Sequence, residues 1–277
     1  MKKRNIPINL RKYNIKGIWT LWILLLFLLH SCSENSPTTP GGGDNNPPEE
    51  IPVVQPEIVA TYPHDSGSFT QGLLFHEGFL FEGSGRYGIS TFRKVAPETG
   101  EVLHSDTLPN QYFGEGLALK NGRFVQLTWQ SRVAFIYDAT SLAQVDTFRY
   151  GTEGWGLTAN DDHFIMSDGS STLYFRDDDF KLVRTISVTR DGEAVSSLNE
   201  LEFANELIYA NVWRRDYFLE ISPATGKATR VIDCSELVAI EQQTNPEHVL
   251  NGIAWRAASG TFFVTGKNWE RMFEVIF

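Results

Sequence analysis

Five segments of the chain repeat one short pattern, and this repeat limits the possible folds more than any other feature of the sequence. Each segment has an aromatic or polar residue, then a glycine in four cases of five, then apolar residues. The aligned positions are Gly72, Gly116, Gly156, Glu200 and Gly252, at intervals of 44, 40, 44 and 52 residues. A period of about 40–50 residues with several short strands per unit is typical of a β-propeller. The repeat therefore predicts an all-β protein with five blades.

Each repeat predicts the strands of one blade, from its period-two apolar pattern and its turn residues. The first strands are predicted at 70–75, 114–119, 154–159, 198–203 and 250–255. Second strands follow at 79–84, 123–129, 163–168, 207–213 and 261–266, and third strands at 89–95, 132–138, 172–176, 217–222 and 272–277. Four repeats add a fourth strand, at 102–108, 144–148, 182–188 and 228–232.

The fifth repeat ends after three strands, at Phe277. A surplus strand at 57–62 precedes the first repeat, and we predict that it pairs with the last blade, closes the ring and protects the open edge. The insert between Ser235 and Leu250 favours a short helix and a loop. It is too short for a sixth blade.

The N-terminal 56 residues predict two segments outside the propeller domain of 57–277. Residues 1–31 combine six basic residues, no acidic residue and the apolar run 18–29, which is typical of a secretion leader. That run is too short to span a bilayer, and Cys32 directly after it resembles the acceptor of a bacterial lipoprotein signal. His30 departs from that signal, so an ordinary signal peptide stays the alternative. Residues 32–56 are rich in Ser, Thr, Pro, Gly, Asn and Glu, which predicts a flexible, disordered tether.

This leader sets expectations for location, charge and partners. We expect an exported protein, anchored to a bacterial membrane only through a lipid on Cys32 and facing the periplasm or the cell surface. Cys234 is then the only thiol left, which excludes an intrachain disulfide and favours a small buried hydrophobe. Without the leader's six basic residues, 18 basic face 34 acidic side chains, a net charge of −16. Such a charge disfavours nucleic acid as a partner. We expect a monomer.

Equivalent positions of the five repeats converge on the central channel, because the first strand of each blade lines it. The residues just before the aligned positions form what we call the inner ring: Gln71, Glu115, Trp155, Asn199 and Asn251. The ends of the second strands form a wider outer ring: Ser84, Trp129, Asp168, Trp213 and Lys267. Phe69 and Phe113 lie two residues before Gln71 and Glu115. Packing residues would recur in every repeat, whereas the inner ring differs from blade to blade, which favours a site with a polar floor and an aromatic wall.

Other chemistries find no support in the sequence. The six histidines show no close metal-ligand spacing, so no metal site is predicted. No phosphate-binding loop appears, and Gly83-Ser84-Gly85 lacks the strand–turn–helix context of a hydrolase nucleophile. The acidic run 177–179 favours a solvated turn over a calcium loop.

The repeats also carry motifs that resemble those of a known family. The motifs are Phe69-Thr-Gln-Gly-Leu, Phe113-Gly-Glu-Gly-Leu, Gln126-Leu-Thr-Trp, Glu153-Gly-Trp-Gly-Leu, Ser167-Asp-Gly-Ser, Leu198-Asn-Glu-Leu-Glu, Ala210-Asn-Val-Trp, Leu250-Asn-Gly-Ile-Ala and Val264-Thr-Gly-Lys-Asn-Trp. In unbroken order from about residue 57 to Phe277, they resemble the plant and bacterial glutamine cyclotransferases, also called glutaminyl-peptide cyclotransferases. The resemblance implies a five-bladed propeller that converts the N-terminal glutamine of peptides or proteins to pyroglutamate and releases ammonia. It also implies catalysis without a zinc ion or other cofactor, although members can carry a structural calcium ion in the channel.

The family's functional pattern falls on Phe69, Gln71, Phe113, Glu115, Trp129, Trp155, Asn199, Trp213 and Lys267. In this interpretation Glu115 and Lys267 are catalytic and the other seven bind substrate. Glu115 takes a proton from the attacking α-amine and returns it to the departing nitrogen, with its pKa raised by burial and lowered by Lys267. Gln71 and Asn199 hydrogen-bond the carboxamide or the first peptide group, and Lys267 polarises a carbonyl oxygen or steadies developing charge. These last three roles are interchangeable at this stage.

Two other functions stay open from the residues alone. One is a non-catalytic surface propeller that binds a protein or glycan. The other is a metal-dependent, lactonase-like propeller enzyme, with carboxylates from Glu115, Glu153, Asp168 and Glu200 around the metal.

Overall fold

The computed structural model describes residues 50–277, which form an all-β, five-bladed propeller with one short helix. The predicted leader, Cys32 and most of the predicted tether lie outside the described residues. No helix within 50–277 is long and apolar enough to cross a membrane. The five-bladed, all-β prediction is confirmed.

The elements follow the repeats along the chain. Two strands come first, β1 (Val53–Val54) and β2 (Glu57–Pro63). Blade 1 contains β3 (Thr70–His76), β4 (Phe79–Ser84), β5 (Thr91–Val95) and β6 (Val102–Thr107); blade 2 contains β7 (Gly114–Lys120), β8 (Arg123–Thr128), β9 (Val133–Asp138) and β10 (Gln144–Arg149). Blade 3 contains β11 (Leu157–Ala159), β12 (Phe164–Met166), β13 (Thr172–Arg176) and β14 (Leu182–Ser187), and a small hairpin follows, β15 (Thr189–Arg190) and β16 (Glu193–Ala194). Blade 4 contains β17 (Leu198–Ala204), β18 (Leu207–Val212), β19 (Tyr217–Ile221) and β20 (Ala228–Asp233); helix α1 (Ser235–Glu241) and blade 5, with β21 (Leu250–Arg256), β22 (Thr261–Gly266) and β23 (Arg271–Ile276), complete the chain.

The two N-terminal strands pair with different blades. β2 pairs antiparallel with β23 and is the fourth strand of blade 5. β1 pairs in parallel with β20 and adds a fifth strand to blade 4. The predicted tether is therefore wrong at its C-terminal end, because Ile51 and Val54 pack on apolar clusters of the propeller and Val231 donates its backbone N–H to the carbonyl of Pro52.

The core lies between neighbouring blades rather than within one of them. One apolar cluster joins blades 1 and 2 around Phe92 and Leu117, and another joins blades 3 and 4 around Phe175 and Leu201. Cys234 is fully buried in the cluster between blades 4 and 5, as predicted for a small hydrophobe. Alternating apolar residues on each strand thus become the contacts that hold the ring together.

The aligned glycines permit the inner strands to approach closely around the channel. A Cβ atom at Gly156 would lie 1.9 Å from the backbone oxygen of Asn199, and one at Gly116 would lie 2.4 Å from the backbone nitrogen of Leu157. Blade 4 has Glu200 at this position, and its two carboxylate oxygens accept hydrogen bonds from the backbone N–H groups of Leu73 (3.2 Å) and Ile253 (3.0 Å). Glu200, which is fully buried, therefore links blades 1, 4 and 5.

We expect Gly156→Ala to lower the free energy of unfolding by about 1–3 kcal/mol or more, because the added methyl group has no space against blade 4. Urea unfolding followed by tryptophan fluorescence measures the change. Gly151→Ala is the matched control, since a Cβ atom there meets nothing within 4 Å. Equal unfolding midpoints for the two variants would contradict the close-approach role.

Candidate active site

A cavity of about 480 Å³, which we call the cup, opens at the end of the channel where the first strands begin and the second strands end. All nine residues predicted from the family pattern line it. Arg214 and Glu247 also line it, and sequence reasoning did not identify either of them. Every blade contributes side chains to the cup. Blade 1 contributes Phe69 and Gln71, blade 2 Phe113, Glu115 and Trp129, blade 3 Trp155, blade 4 Asn199 and Trp213, and blade 5 Lys267.

β-Bulges interrupt four of the five first strands at the inner-ring positions. The pairing register shifts at residue 71 in β3, at 115–116 in β7, at 199–200 in β17 and at 251–252 in β21. A bulge leaves its extra residue out of the ladder and redirects its side chain. In blade 3 the ladder begins only at Leu157, because the backbone of Trp155 bonds Ser167 and Gly116 instead. The predicted strands 154–159 and 163–168 are correspondingly too long.

Three residues of the two predicted rings support the cup without lining it. Asn251 donates from Nδ2 to the backbone oxygen of Thr70 (2.8 Å) and to Gln71 Oε1 (3.3 Å). Ser84 Oγ accepts from the backbone N–H of Phe69 (3.0 Å). Asp168 accepts from the hydroxyl groups of Ser170 and Tyr174 within its own blade.

The contacts of Asn251 determine which atoms Gln71 offers to a ligand. A backbone carbonyl only accepts, so the Asn251 amide must turn its NH₂ group toward Thr70. The same NH₂ group then faces Gln71 Oε1, which leaves the Nε2 hydrogens of Gln71 as donors for the cup. Asn199 also lines the cup, and its Oδ1, which has almost no accessible surface, has no hydrogen-bond partner among residues 50–277. The polar part of the cup thus holds an amide donor at Gln71 and a second side-chain amide at Asn199.

Glu115 and Lys267 supply the charges of the floor, and both side chains are buried. Burial raises the pKa of Glu115 well above its ordinary value; the charge of Lys267 opposes this rise and that of Glu153 adds to it. Burial also lowers the pKa of Lys267 to about 8, against the opposing effect of Glu115. The two pKa values are therefore shifted toward each other, that of Glu115 upward and that of Lys267 downward, as is common for acid–base groups at active sites.

One carboxylate orients two of the tryptophans in the wall of the cup. Glu153 Oε2 accepts hydrogen bonds from Trp129 Nε1 (2.7 Å) and from Trp155 Nε1 (3.1 Å). Trp155 meets Trp213 edge-to-face at 5.8 Å between ring centroids, and Trp129 meets Phe113 in the same way at 5.8 Å. Sequence reasoning considered Glu153 only as a metal ligand. Its place two residues before Trp155 was the available signal for this supporting role.

We expect Glu153→Gln and Glu153→Ala to separate the charge of this residue from its hydrogen bonds. Glutamine can keep an oxygen between the two indoles, so KM should change little, while loss of the negative charge lowers the pKa of Glu115 and moves the acid limb of the pH–kcat/KM profile to lower pH. Alanine frees both indoles, and loss of charge-assisted hydrogen bonds of about 1.5–3 kcal/mol should raise KM roughly tenfold or more. Steady-state kinetics from pH 5 to 9 measure both effects. A wild-type KM in Glu153→Ala would contradict the positioning role.

The carboxylates proposed for a metal-dependent enzyme do not meet. Within the described part of the chain, no group of three or more His, Cys, Asp or Glu side chains could hold a metal ion. Glu153 binds indoles, Asp168 binds hydroxyls, and Glu200 binds backbone N–H groups. These arrangements do not favour the lactonase-like alternative.

Comparison with known proteins assigns the chain to a family. The family model described as glutamine cyclotransferase matches residues 23–277. The chain belongs to the glutamine cyclotransferase family. The resemblance stated from the motifs is thereby confirmed.

Two relatives of this glutamine cyclotransferase chain are similar over most of its length. A glutaminyl-peptide cyclotransferase of Arabidopsis thaliana is 40% identical over 224 residues, which are 79% of this chain and 70% of that protein. The crystal structure of Myxococcus xanthus glutaminyl cyclase superposes with a TM-score of 0.78 at 42% identity, covering 82% of this chain and 97% of that one. Sequence and fold thus agree on the same family.

Proposed function

We propose that the chain is a glutaminyl-peptide cyclotransferase that converts the N-terminal glutamine of peptides or proteins to pyroglutamate and releases ammonia. The observation that carries this proposal is the burial of Glu115 and Lys267 together at the floor of an aromatic cup. Membership of the family and the names of both relatives support it. The substrate class is any chain with a free N-terminal glutamine.

The reaction is intramolecular, so the cup must mainly fix the glutamine side chain in a reactive conformation. The walls of Phe69, Phe113, Trp129, Trp155 and Trp213 enclose the methylene groups. Gln71, as a donor, suits a carbonyl oxygen of the substrate, and the side-chain amide of Asn199 hydrogen-bonds the carboxamide or the first peptide group.

Glu115 then moves the proton. The α-amine attacks the γ-carbonyl carbon, a new C–N bond forms, and Glu115 accepts the proton that the amine loses. Lys267 steadies the negative charge that develops on the carbonyl oxygen. Glu115 returns the proton to the departing nitrogen as the old C–N bond breaks. Ammonia leaves, and the Glu115 side chain is again a carboxylate.

A direct assay tests the proposal. The purified chain from residue 50 is incubated with a Gln-initiated peptide, and ammonia and the mass of the peptide are followed; loss of one ammonia removes about 17 Da. An otherwise identical peptide that begins with asparagine is the control. Absence of both signals from the Gln peptide would overturn the proposal.

A chelator arm of the same assay addresses cofactors. We propose that catalysis needs none, since acid–base groups of the chain suffice for the proton transfers. A structural calcium ion stays a prediction from the family resemblance. The carboxyl groups of Glu200 and Glu202 do not favour it, because they already accept backbone N–H groups. Chelation should leave turnover intact, and a lowered melting temperature would reveal a structural ion.

We also propose that the protein is exported, acylated on Cys32 and anchored as a monomer at a bacterial membrane. The basic, apolar leader and the cysteine after it support this placement. Fractionation of cells that express the full chain tests it, with Cys32→Ala as the variant that should leave the membrane fraction. Size-exclusion chromatography of the chain from residue 50 tests the oligomeric state.

A further inference from the structure

We propose that Arg214 and Glu247 form the subsite for the residue that follows the N-terminal glutamine, and that this ion pair lets the enzyme accept acidic and basic residues there. The inference rests on the proposed function. It concerns two residues of the cup that lie outside the family pattern found in the sequence.

The position of the pair at the mouth of the cup carries the inference. Glu115 and Lys267 are buried at the floor, whereas the side chains of Arg214 and Glu247 are 54% and 46% exposed. Beyond the cup, Glu200 is fully buried and hydrogen-bonded to the inner strands of blades 1 and 5. A peptide whose first residue occupies the floor must therefore leave through the mouth, where its second residue meets these two charges.

Contacts on both sides hold the pair in place. The Arg214 guanidinium donates from Nη2 to Glu247 Oε1 and lies 4.5 Å from the centre of the Trp213 ring. The backbone of Arg214 is left-handed, with φ of 61°, a conformation that costs free energy and is enriched at functional sites. Glu247 lies in a loop fixed by hydrogen bonds from its own N–H to Asn245 Oδ1 (3.0 Å) and between His248 Nδ1 and Gln243 Oε1 (2.8 Å).

The sequence explains why this blade connection carries the acid. The interval from blade 4 to blade 5 is 52 residues, against 40 or 44 elsewhere in the ring. Helix α1 and the loop up to Leu250 account for the longer connection. This insert brings Glu247 beside Arg214, which alone would make the mouth cationic.

Opposite charges in one subsite give a defined selectivity. Arg214 attracts an acidic second residue and Glu247 repels it, and the reverse holds for a basic one. Because the pair is partly exposed, solvent screens each contribution to about 0.2–1 kcal/mol, or up to about fivefold in rate. Removing one partner should therefore expose the preference of the other.

The test uses two peptides, Gln-Glu-Ala and Gln-Lys-Ala, and the ratio of their kcat/KM values. We expect a ratio within about fivefold of one for the wild type. Arg214→Gln should lower the ratio of Gln-Glu-Ala to Gln-Lys-Ala about two- to fivefold, and Glu247→Gln should raise it by a similar factor. The double variant should return toward the wild-type ratio. Arg214 and Glu247 also act on the pKa of Lys267. This effect is common to the two peptides, so it cancels in a ratio taken within one variant.

Matched controls carry the same changes of net charge at the opposite end of the propeller. Lys181→Gln and Asp179→Asn alter an exposed ion pair in the turn between β13 and β14 and should leave the ratio unchanged. Shifts of the mouth variants that have the same sign, or that do not exceed those of the controls, would overturn the subsite. No turnover of either peptide by the wild type would overturn the proposed function, and the inference with it.

Discussion

Replacing Glu115 with glutamine is expected to lower kcat by roughly 10²- to 10⁴-fold, the usual contribution of a positioned acid–base group. The amide has nearly the same shape as the carboxyl group, so substrate still fits the cup and KM should change little. It cannot take the proton of the attacking amine. Release of ammonia from a Gln-initiated peptide, measured at saturating substrate, gives the change in kcat.

A matched control for this variant is Glu202→Gln. Glu202 is a partly buried carboxyl group, with its pKa raised by desolvation to about 8, but it accepts the backbone N–H of Trp255 and does not line the cup. We expect its turnover to stay within a few-fold of wild type. Wild-type turnover by a folded Glu115→Gln enzyme would show that Glu115 is not the acid–base group.

Replacing Lys267 with methionine is expected to lower kcat/KM by roughly 10²- to 10³-fold, the cost of losing one group that stabilises developing charge. The variant should also change the pH profile. Lys267 in its charged form lowers the pKa of Glu115, so its removal raises that pKa further. The acid limb of the profile should move to higher pH.

Arginine at position 267 separates charge from titration. In the wild type the charge of Lys267 is present below its pKa of about 8 and is lost as the pH rises through that value, so kcat/KM should fall above about pH 8. An arginine stays charged over the whole range. Lys267→Arg should therefore move the alkaline limb to higher pH, whatever its absolute rate. If the alkaline limb stays near pH 8 in Lys267→Arg as in the wild type, it belongs to another group, such as the α-amine of the substrate.

The fold and the main residues of the cup could be predicted because a repeat converts sequence position into spatial position. Gln71, Glu115 and Asn199 lie 44 residues or more apart, yet equivalent places in a propeller bring them to one channel. The same logic correctly predicted that the outer-ring residues Trp129, Trp213 and Lys267 line the cup. It failed for Ser84 and Asp168, which occupy equivalent places but bond within their own blade.

Features that depend on side-chain direction or on local exceptions could not be predicted in this way. The hydrogen bonds of Glu153 to two indoles require the rotamers of both tryptophans. The strand Val53–Val54 has only two residues, too few to show an alternating apolar pattern, so it could not be predicted from the sequence. Ile51 and Val54 are the apolar residues that anchor it on the propeller. Glu247 lies in the insert between blades 4 and 5, which has no equivalent in the other repeats, so the repeat alignment could not place it in the cup.

The hydrogen bonds of Glu200 have a consequence for how the enzyme is made. They join Glu200 to Leu73 and Ile253, which are 127 and 53 residues away in sequence, whereas most strand pairs within a blade are hairpins of adjacent strands. Contacts between distant parts of a chain form slowly, because loop-closure entropy opposes them. Individual hairpins can form early, but the floor that holds Glu115 and Lys267 exists only once the whole circle has assembled. We therefore expect activity to recover during refolding only at the last step, when the ring closes, and not when the first hairpins form.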